Sequence, residues 1–394
     1  MIALSSKYDC CGCEACVEAC PVKCISFRED AEGFLYPAVD ESACIGCKLC
    51  NRVCPVLSRG EEQLPLEVYA ARNRSETDLL HGSSGGVFAA LARKVLSRSG
   101  GRVFGAQFGP GFMSVEHTAV GKEEDLPALF GSKYLQSRIG PCYEEVRSCL
   151  DEGREVLFCG TGCQVLALKR FLRKDYPSLL TVEVVCHGVP SPKVWRRYLE
   201  EAVPGGGTLD SVSFRDKRSG WSTYHLTLSG SSSPEKGSPA WEDSRSVEDN
   251  PYMWLFLNNY SIRPSCFQCP AKSGRSQSDI TLADYWGIEE AHPDFYDERG
   301  VGLLLVRTGK GKEFLSSGVD LEMKVSSLEA ATRENPAYHS SPVEPAGREA
   351  FFRRFLKGKA PLEKLARRYR RRKAWAGIPG YVKRKLKAVK KKLL

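Results

Sequence analysis

The 394-residue sequence offers little from which a membrane-spanning protein could be built. No apolar run approaches the roughly 18 residues that a span requires; the stretch from Leu179 to Cys186 is eight residues long and contains Glu183. The opening residues, MIALSSKYDCC, have neither a basic nor an apolar leader region. No signal peptide is expected from them, and the expected location is cytoplasmic. Hydrophobic residues at 42% and charged residues at 27% exclude a disordered or collagenous chain. The glycine fingerprint of nicotinamide dinucleotide binding is also missing, because Gly160-Thr-Gly162 lacks a third glycine. The six histidines are scattered.

What is present is unevenly placed. Seventeen cysteines occur, ten of them between Cys10 and Cys54. In a cytoplasmic chain such clustering points to metal ligands or redox groups rather than disulfides. Charge is skewed as well. Residues 353–394 hold 18 Lys/Arg and one acid, Glu363, whereas the whole chain is only +9, so the preceding 352 residues are net −8. Length predicts two to three domains. The expected division is a cysteine-rich segment over 1–58, a polar linker, a region over 66–350 that alternates strand and helix patterns, and a basic amphipathic tail over 351–394. The expected fold class is mixed α/β, a small ferredoxin-like domain followed by a larger α/β domain.

The strongest signal is a repeated spacing. Cys10, Cys13, Cys16 and Cys20 are followed by Pro21, and Cys44, Cys47, Cys50 and Cys54 by Pro55. Each block is the C-x2-C-x2-C-x3-C-P run of bacterial ferredoxins, in which the fourth cysteine ligates the other cluster. Thiolates are soft anionic ligands suited to iron–sulfur clusters. Cys10, Cys13, Cys16 and Cys54 are therefore expected to hold one 4Fe-4S cluster, and Cys44, Cys47, Cys50 and Cys20 a second. Zinc sites use paired C-x2-C units instead. Cys11 and Cys24 are read as packed thiols. Between the blocks, Ile25–Phe27 and Phe34–Tyr36 predict a hairpin.

Farther on, Glu155–Phe158 predicts a strand, Gly160-Thr-Gly162 a turn, the run from Cys163 a helix, and Leu179–Val185 a second strand. That is a parallel βαβ unit. It puts Cys163 and Cys186 just past strand C-termini, where open α/β sheets bind ligands. Cys266 and Cys269 add a C-x2-C pair. Four thiols can thus converge on a third 4Fe-4S cluster. The spacing equally allows a lone redox thiol at Cys163, a zinc site using His187, or simple burial.

The element Phe158-Cys-Gly-Thr-Gly-Cys-Gln164 resembles the F-x-G-T-P-C-Q element of the coenzyme F420 hydrogenase and dehydrogenase beta-subunit family. Further segments match in order: His81–Gly86, Gly131–Ser137, Cys186–Pro192, Ser213–Lys217, Arg263–Cys269 and Asp279–Gly287. Together they span nearly the whole chain, with 66–145 and 146–350 as the N- and C-terminal parts of the family domain. Gly162 stands where the family has proline, and Cys159 is an added thiol. The resemblance implies a flavin, expected as FAD, together with the third cluster at Cys163, Cys186, Cys266 and Cys269. A flavin suits the chemistry, because clusters pass single electrons and organic donors exchange pairs. Ser84, Gly85 and Gly86, ahead of the helical run Val87–Leu96, are candidates to cradle its phosphates, with Lys133 adding charge. An ordinary helix cap is the plain alternative there. His187 is read as a satisfied histidine.

The expected function is a flavin- and iron–sulfur-dependent oxidoreductase. It would link a ferredoxin or similar redox partner to a two-electron carrier such as the deazaflavin coenzyme F420 or an organic substrate. The alternative is an electron-transfer subunit serving a partner reductase or hydrogenase. In the tail, Val382, Leu386, Val389 and Leu393 fall on one helical face among lysines and arginines, so peripheral contact with anionic membrane is expected. No aromatic residue interrupts its last 13 positions, and nucleic acid is not an expected partner.

Overall fold

The computed structural model describes residues 1–235 and 237–377. The chain folds as mixed α/β, with a small ferredoxin-like domain ahead of a larger α/β domain. In the small domain, strands β1 (Ile25–Glu29) and β2 (Leu35–Val39) form an antiparallel hairpin with Ile25 opposite Val39. The two cysteine blocks share one backbone shape. Gly12 and Glu14 in the first, and Gly46 and Lys48 in the second, all have φ between 59° and 70°. Each left-handed pair leads into a single helical turn, Ala15–Glu18 or Leu49–Arg52. The bend wraps each loop inward, and glycine tolerates it without strain.

The larger domain is built on a nine-stranded sheet. Its strands are β3 (Glu67–Asn73), β4 (Arg102–Phe108), β5 (Val115–Val120), β6 (Ser137–Arg138), β7 (Val156–Thr161) and β8 (Leu179–Val184), joined by three later strands. Strands β9 (Ser211–Asp216), β10 (His225–Ser231) and β11 (Ala240–Ser246) form a separate antiparallel sheet. Strands β12 (Ile280–Asp284), β13 (Gly302–Val306) and β14 (Leu321–Val325) then return to the large one. Its order is β14-β3-β13-β12-β8-β7-β4-β5-β6. The four central strands, β12, β8, β7 and β4, are mutually parallel. Both sides of this sheet are covered, so β8 and β13 are near-continuous apolar runs. The expected βαβ unit is β7, the helix Gly162–Leu172 and β8.

The helix Val87–Leu96 buries Val87, Ala90, Leu91 and Val95 on the sheet, at the i, i+3, i+4 and i+8 spacing of one face. Its first turn and the C-terminal ends of the parallel strands open on the same side.

Residues 351–377 do not stand apart as a tail. Phe351 and Phe352 of the helix Arg348–Phe355, and Leu362, Leu365, Ala366 and Tyr369 of the helix Leu362–Gly377, are buried in the core that holds Trp195 and Tyr252. The basic composition masks an apolar stripe at helical spacing. The segment 381–394, on which the membrane expectation rests, lies outside the described residues. No described helix is long and apolar enough to cross a membrane.

Candidate functional site: one cavity beside a ferredoxin domain

A cavity of about 350 Å³ opens past the C-terminal ends of the parallel strands, where β7 and β8 hand over to Cys159–Gln164 and Val184–Val189. All four thiols of the expected third site line it: Cys163, Cys186, Cys266 and Cys269. Each lies within the electrostatic reach of the others. Burial pushes the Cys266 thiol up to about 12 and Cys269 to about 11, so without a positive partner they stay protonated. Lys272 closes one side. Its ammonium donates to the Cys186 and Ala337 carbonyls, at 2.6 Å each.

Ser84, Gly85, Gly86 and Lys133 line the same cavity. A Cβ on Gly85 would stand 2.3 Å from the Ala71 carbonyl oxygen and 2.5 Å from Gly302 N. Gly86 caps its helix at φ +67. Only glycines allow this segment to lie so close to the sheet. The Ser84 hydroxyl is turned away, donating to Val301 O at 2.8 Å, so Ser84 offers the cavity backbone rather than side chain. The Lys133 ammonium donates to Phe130 O and Gly131 O at 2.9 and 3.3 Å, and burial lowers its pKa to about 8. Lys217 holds the segment from behind, donating to Leu79 O, Ser84 O and Arg299 O.

The ferredoxin cysteines form two further groups. Cys16 lies near Cys10 and Cys54, and Cys13 near Cys16 and Cys54. Cys20, Cys44, Cys47 and Cys50 line a second, small hollow walled by Ile25, Val39 and Ile45. These are the residues expected in the two sets of four, although among the described residues no three His, Cys, Asp or Glu side chains are arranged to hold a single metal ion. Cys24, read as a packed thiol, lines that hollow too, its Sγ 3.4 Å from that of Cys20.

Several residues of the site escaped sequence reasoning. Cys11 is buried between Cys13 of the first set and Cys163 of the cavity quartet. Arg263 joins the domains by donating to Cys10 O at 2.6 Å and Leu35 O at 2.8 Å. His117 is buried in the cavity wall, stacked on Phe158. Its Nε2 donates to Cys159 O at 3.1 Å, which leaves Nδ1 as an acceptor without a partner among the described residues. Arg215 forms a bidentate pair with Asp284 at 3.0 and 3.1 Å beneath Tyr224. The only advance signal for Arg263, Arg215 and Lys217 was their place inside matched segments. His187, read as a satisfied histidine, meets Asn259 Oδ1 at 2.7 Å.

A Cβ at Gly162 would lie 2.2 Å from Glu183 Oε1 and 2.9 Å from Ala271 Cβ. This accounts for the departure from proline: the buried Glu183 carboxylate fills the space a ring would need.

Comparison with known proteins gives two separate matches. Residues 9–57 match the 4Fe-4S dicluster domain, which marks the small domain as a carrier of 4Fe-4S clusters. Residues 153–330 match the C-terminal region of the coenzyme F420 hydrogenase/dehydrogenase beta subunit. No curated protein matches the sequence significantly. Among solved structures, a chain of the F420-reducing NiFe hydrogenase complex from Methanosarcina barkeri is similar at TM-score 0.46 and 18% identity, covering 67% of this chain and 83% of that one. That likeness is too loose to carry function. Residues 9–57 are thus similar to 4Fe-4S dicluster domains, and residues 153–330 to the C-terminal region of the coenzyme F420 hydrogenase/dehydrogenase beta subunit.

Proposed function

We propose that the protein is an iron–sulfur flavoprotein oxidoreductase. It would pass electrons between a one-electron chain in its ferredoxin domain and a two-electron carrier bound at the cavity. The observation that carries this reading is the shared cavity: a convergent thiol quartet and a glycine-walled helix N-terminus line one space, with the ferredoxin domain against it. In this reading Cys10, Cys13, Cys16 and Cys54 hold one 4Fe-4S cluster, Cys44, Cys47, Cys50 and Cys20 a second, and Cys163, Cys186, Cys266 and Cys269 a third.

The residues present fit a flavin such as FAD. The amides that open the helix at Val87 attract an anion, and Lys133 supplies a positive charge beside them. His117 Nδ1 is a buried acceptor awaiting a donor. When bound, a flavin converts between paired and single electrons. The chain's own part is to hold its phosphates, exclude water and keep it beside the thiol quartet. The two-electron carrier is a deazaflavin of the F420 type or another organic hydride carrier, and the one-electron partner is a ferredoxin or a redox subunit.

The test is anaerobic iron, sulfide and flavin analysis of the full chain. About twelve irons and one flavin per chain are expected, four irons for each cysteine set. About eight irons would remove the third cluster, and stoichiometric zinc would make the quartet structural. Reduced F420 should bleach the flavin of the isolated chain. Bleaching only in complex with another subunit would favour the electron-transfer-subunit reading.

A further inference from the structure

Arg263 is completely buried, yet among the described residues none of its hydrogen-bond partners carries charge. Its guanidinium donates to Cys10 O at 2.6 Å, Gln136 Oε1 at 3.0 Å and Leu35 O at 2.8 Å. Tyr36 and Phe34 lie beside it, their ring centroids 4.4 and 5.5 Å away. The acids of the nearby hairpin are engaged elsewhere: Asp30 with Lys7, and Glu32 with Arg348. A buried cation without a compensating anion is costly, so native structures seldom leave one unpaired.

The placement suggests what compensates it. On one side is the backbone of Cys10, and a Cβ on Gly12 would meet the guanidinium NH1 at 2.8 Å. On the other are Cys163 and Cys266, both within the field of the guanidinium. Arg263 thus stands between two sets of four thiols. A 4Fe-4S group held by four thiolates is an anion, and its negative charge grows when it takes up an electron. Two such groups would supply the missing counter-charge, and a fixed cation between them would favour the reduced state of each.

We infer that Arg263 is the electrostatic link between the first ferredoxin cysteine set and the cavity quartet, a positioning residue that raises the reduction potential of the clusters on either side. This rests on the proposed reading of those two sets as cluster sites. It also gives the electron route a direction in space. The second set adjoins the first through Cys50 and Cys16, the first faces the quartet across Arg263, and the quartet shares its cavity with the helix N-terminus. Cys11 occupies the same junction, between Cys13 and Cys163.

The experiment is an EPR-monitored redox titration of the full, anaerobically loaded chain with Arg263→Met, Arg263→Gln and Arg263→Lys. The two neutral variants should keep the wild-type iron content and shift the flanking clusters to more negative midpoints, leaving the outer ferredoxin cluster nearly unmoved. Arg263→Lys keeps the charge and loses the fork geometry, and should return the midpoints most of the way. Unchanged midpoints at full iron content in both neutral variants would overturn the inference. So would a lysine variant shifted as far as the neutral ones, since geometry alone would then be responsible. Should either neutral variant fail to fold, the lysine comparison still decides. A wild-type chain with only about eight irons would refute the third cluster and with it the link, and would leave Arg263 acting on the inner ferredoxin cluster alone, whose midpoint would still report the charge.

Discussion

Gly162 and Glu183 share one space: a Cβ on the glycine would stand 2.2 Å from the Glu183 carboxylate oxygen. Glu183 is buried, and burial holds its carboxyl above the usual carboxylate range. Ser276 and Thr281 donate to it at 2.6 and 3.1 Å. Gly162→Ala should therefore cost about 1–3 kcal/mol through overpacking, although alanine is the better helix former. Combined with Glu183→Ala, which empties the space, the two effects should be strongly non-additive in a urea-unfolding cycle. Simple additivity would show that the two side chains do not compete.

Replacement of Cys266 by Ser should remove about four irons and leave the ferredoxin clusters spectroscopically intact. The cavity quartet and the ferredoxin sets are separate groups of thiols, which is why the losses should separate. An iron content equal to wild type would mean that Cys266 is not a ligand.

How much of this was legible beforehand depended on sequence distance. The hairpin β1–β2 and the unit from Val156 to Val184 were readable because each is continuous in sequence and bounded by turn residues. The C-x2-C spacing was readable because ligand geometry fixes it locally. Strands β3, β13 and β14 were not, since they pair antiparallel with partners far along the chain. The sheet β9–β11 was missed for a similar reason: its burial alternates weakly, and β11 exposes much of its length. Side-chain roles decided by remote neighbours were invisible. Ser84 reads as a phosphate contact until its hydroxyl is seen on Val301 O, and Arg263 reads as an ordinary arginine until its surroundings prove neutral.

Lys133 should matter to cofactor retention more than any cradle glycine can reveal. Gly86→Asp would be ambiguous, because any Cβ there meets Asp78 O at 2.8 Å in a left-handed backbone. Lys133→Met removes a single charge at a cavity wall instead. Loss of one charge-assisted bond is worth about 1.5–3 kcal/mol, so flavin affinity should fall roughly tenfold or more. Ultrafiltration of the reconstituted protein measures it, and an unchanged dissociation constant would place the phosphates elsewhere.

The Arg215–Asp284 pair should be a stability element rather than a surface ornament. Arg215 is 4% exposed at its side chain, and Trp221 also donates to Asp284 at 2.9 Å. Asp284→Ala leaves a buried guanidinium unpaired and should cost about 3–5 kcal/mol. Glu349→Ala, which breaks an exposed i,i+4 pair with Arg353, should cost under about 0.5 kcal/mol. Equal losses in denaturant titrations would contradict the buried geometry.

His117 gives the protein a defined acid sensitivity. Burial lowers its pKa from the ordinary 6.5 to about 4, while its Nε2–H stays on the Cys159 carbonyl. The folded state therefore refuses a proton that the unfolded chain accepts between those values. The histidine's contribution is fully present above pH 6.5 and is lost as pH falls toward 4, by up to about 1.4 kcal/mol per pH unit across the window. His117→Gln keeps a donor for the carbonyl and cannot titrate. The variant should lose less stability than wild type between pH 7 and pH 5, and the difference between the two removes any acid sensitivity of the clusters common to both. Urea midpoints that fall in parallel would show that His117 already binds its proton in the folded chain.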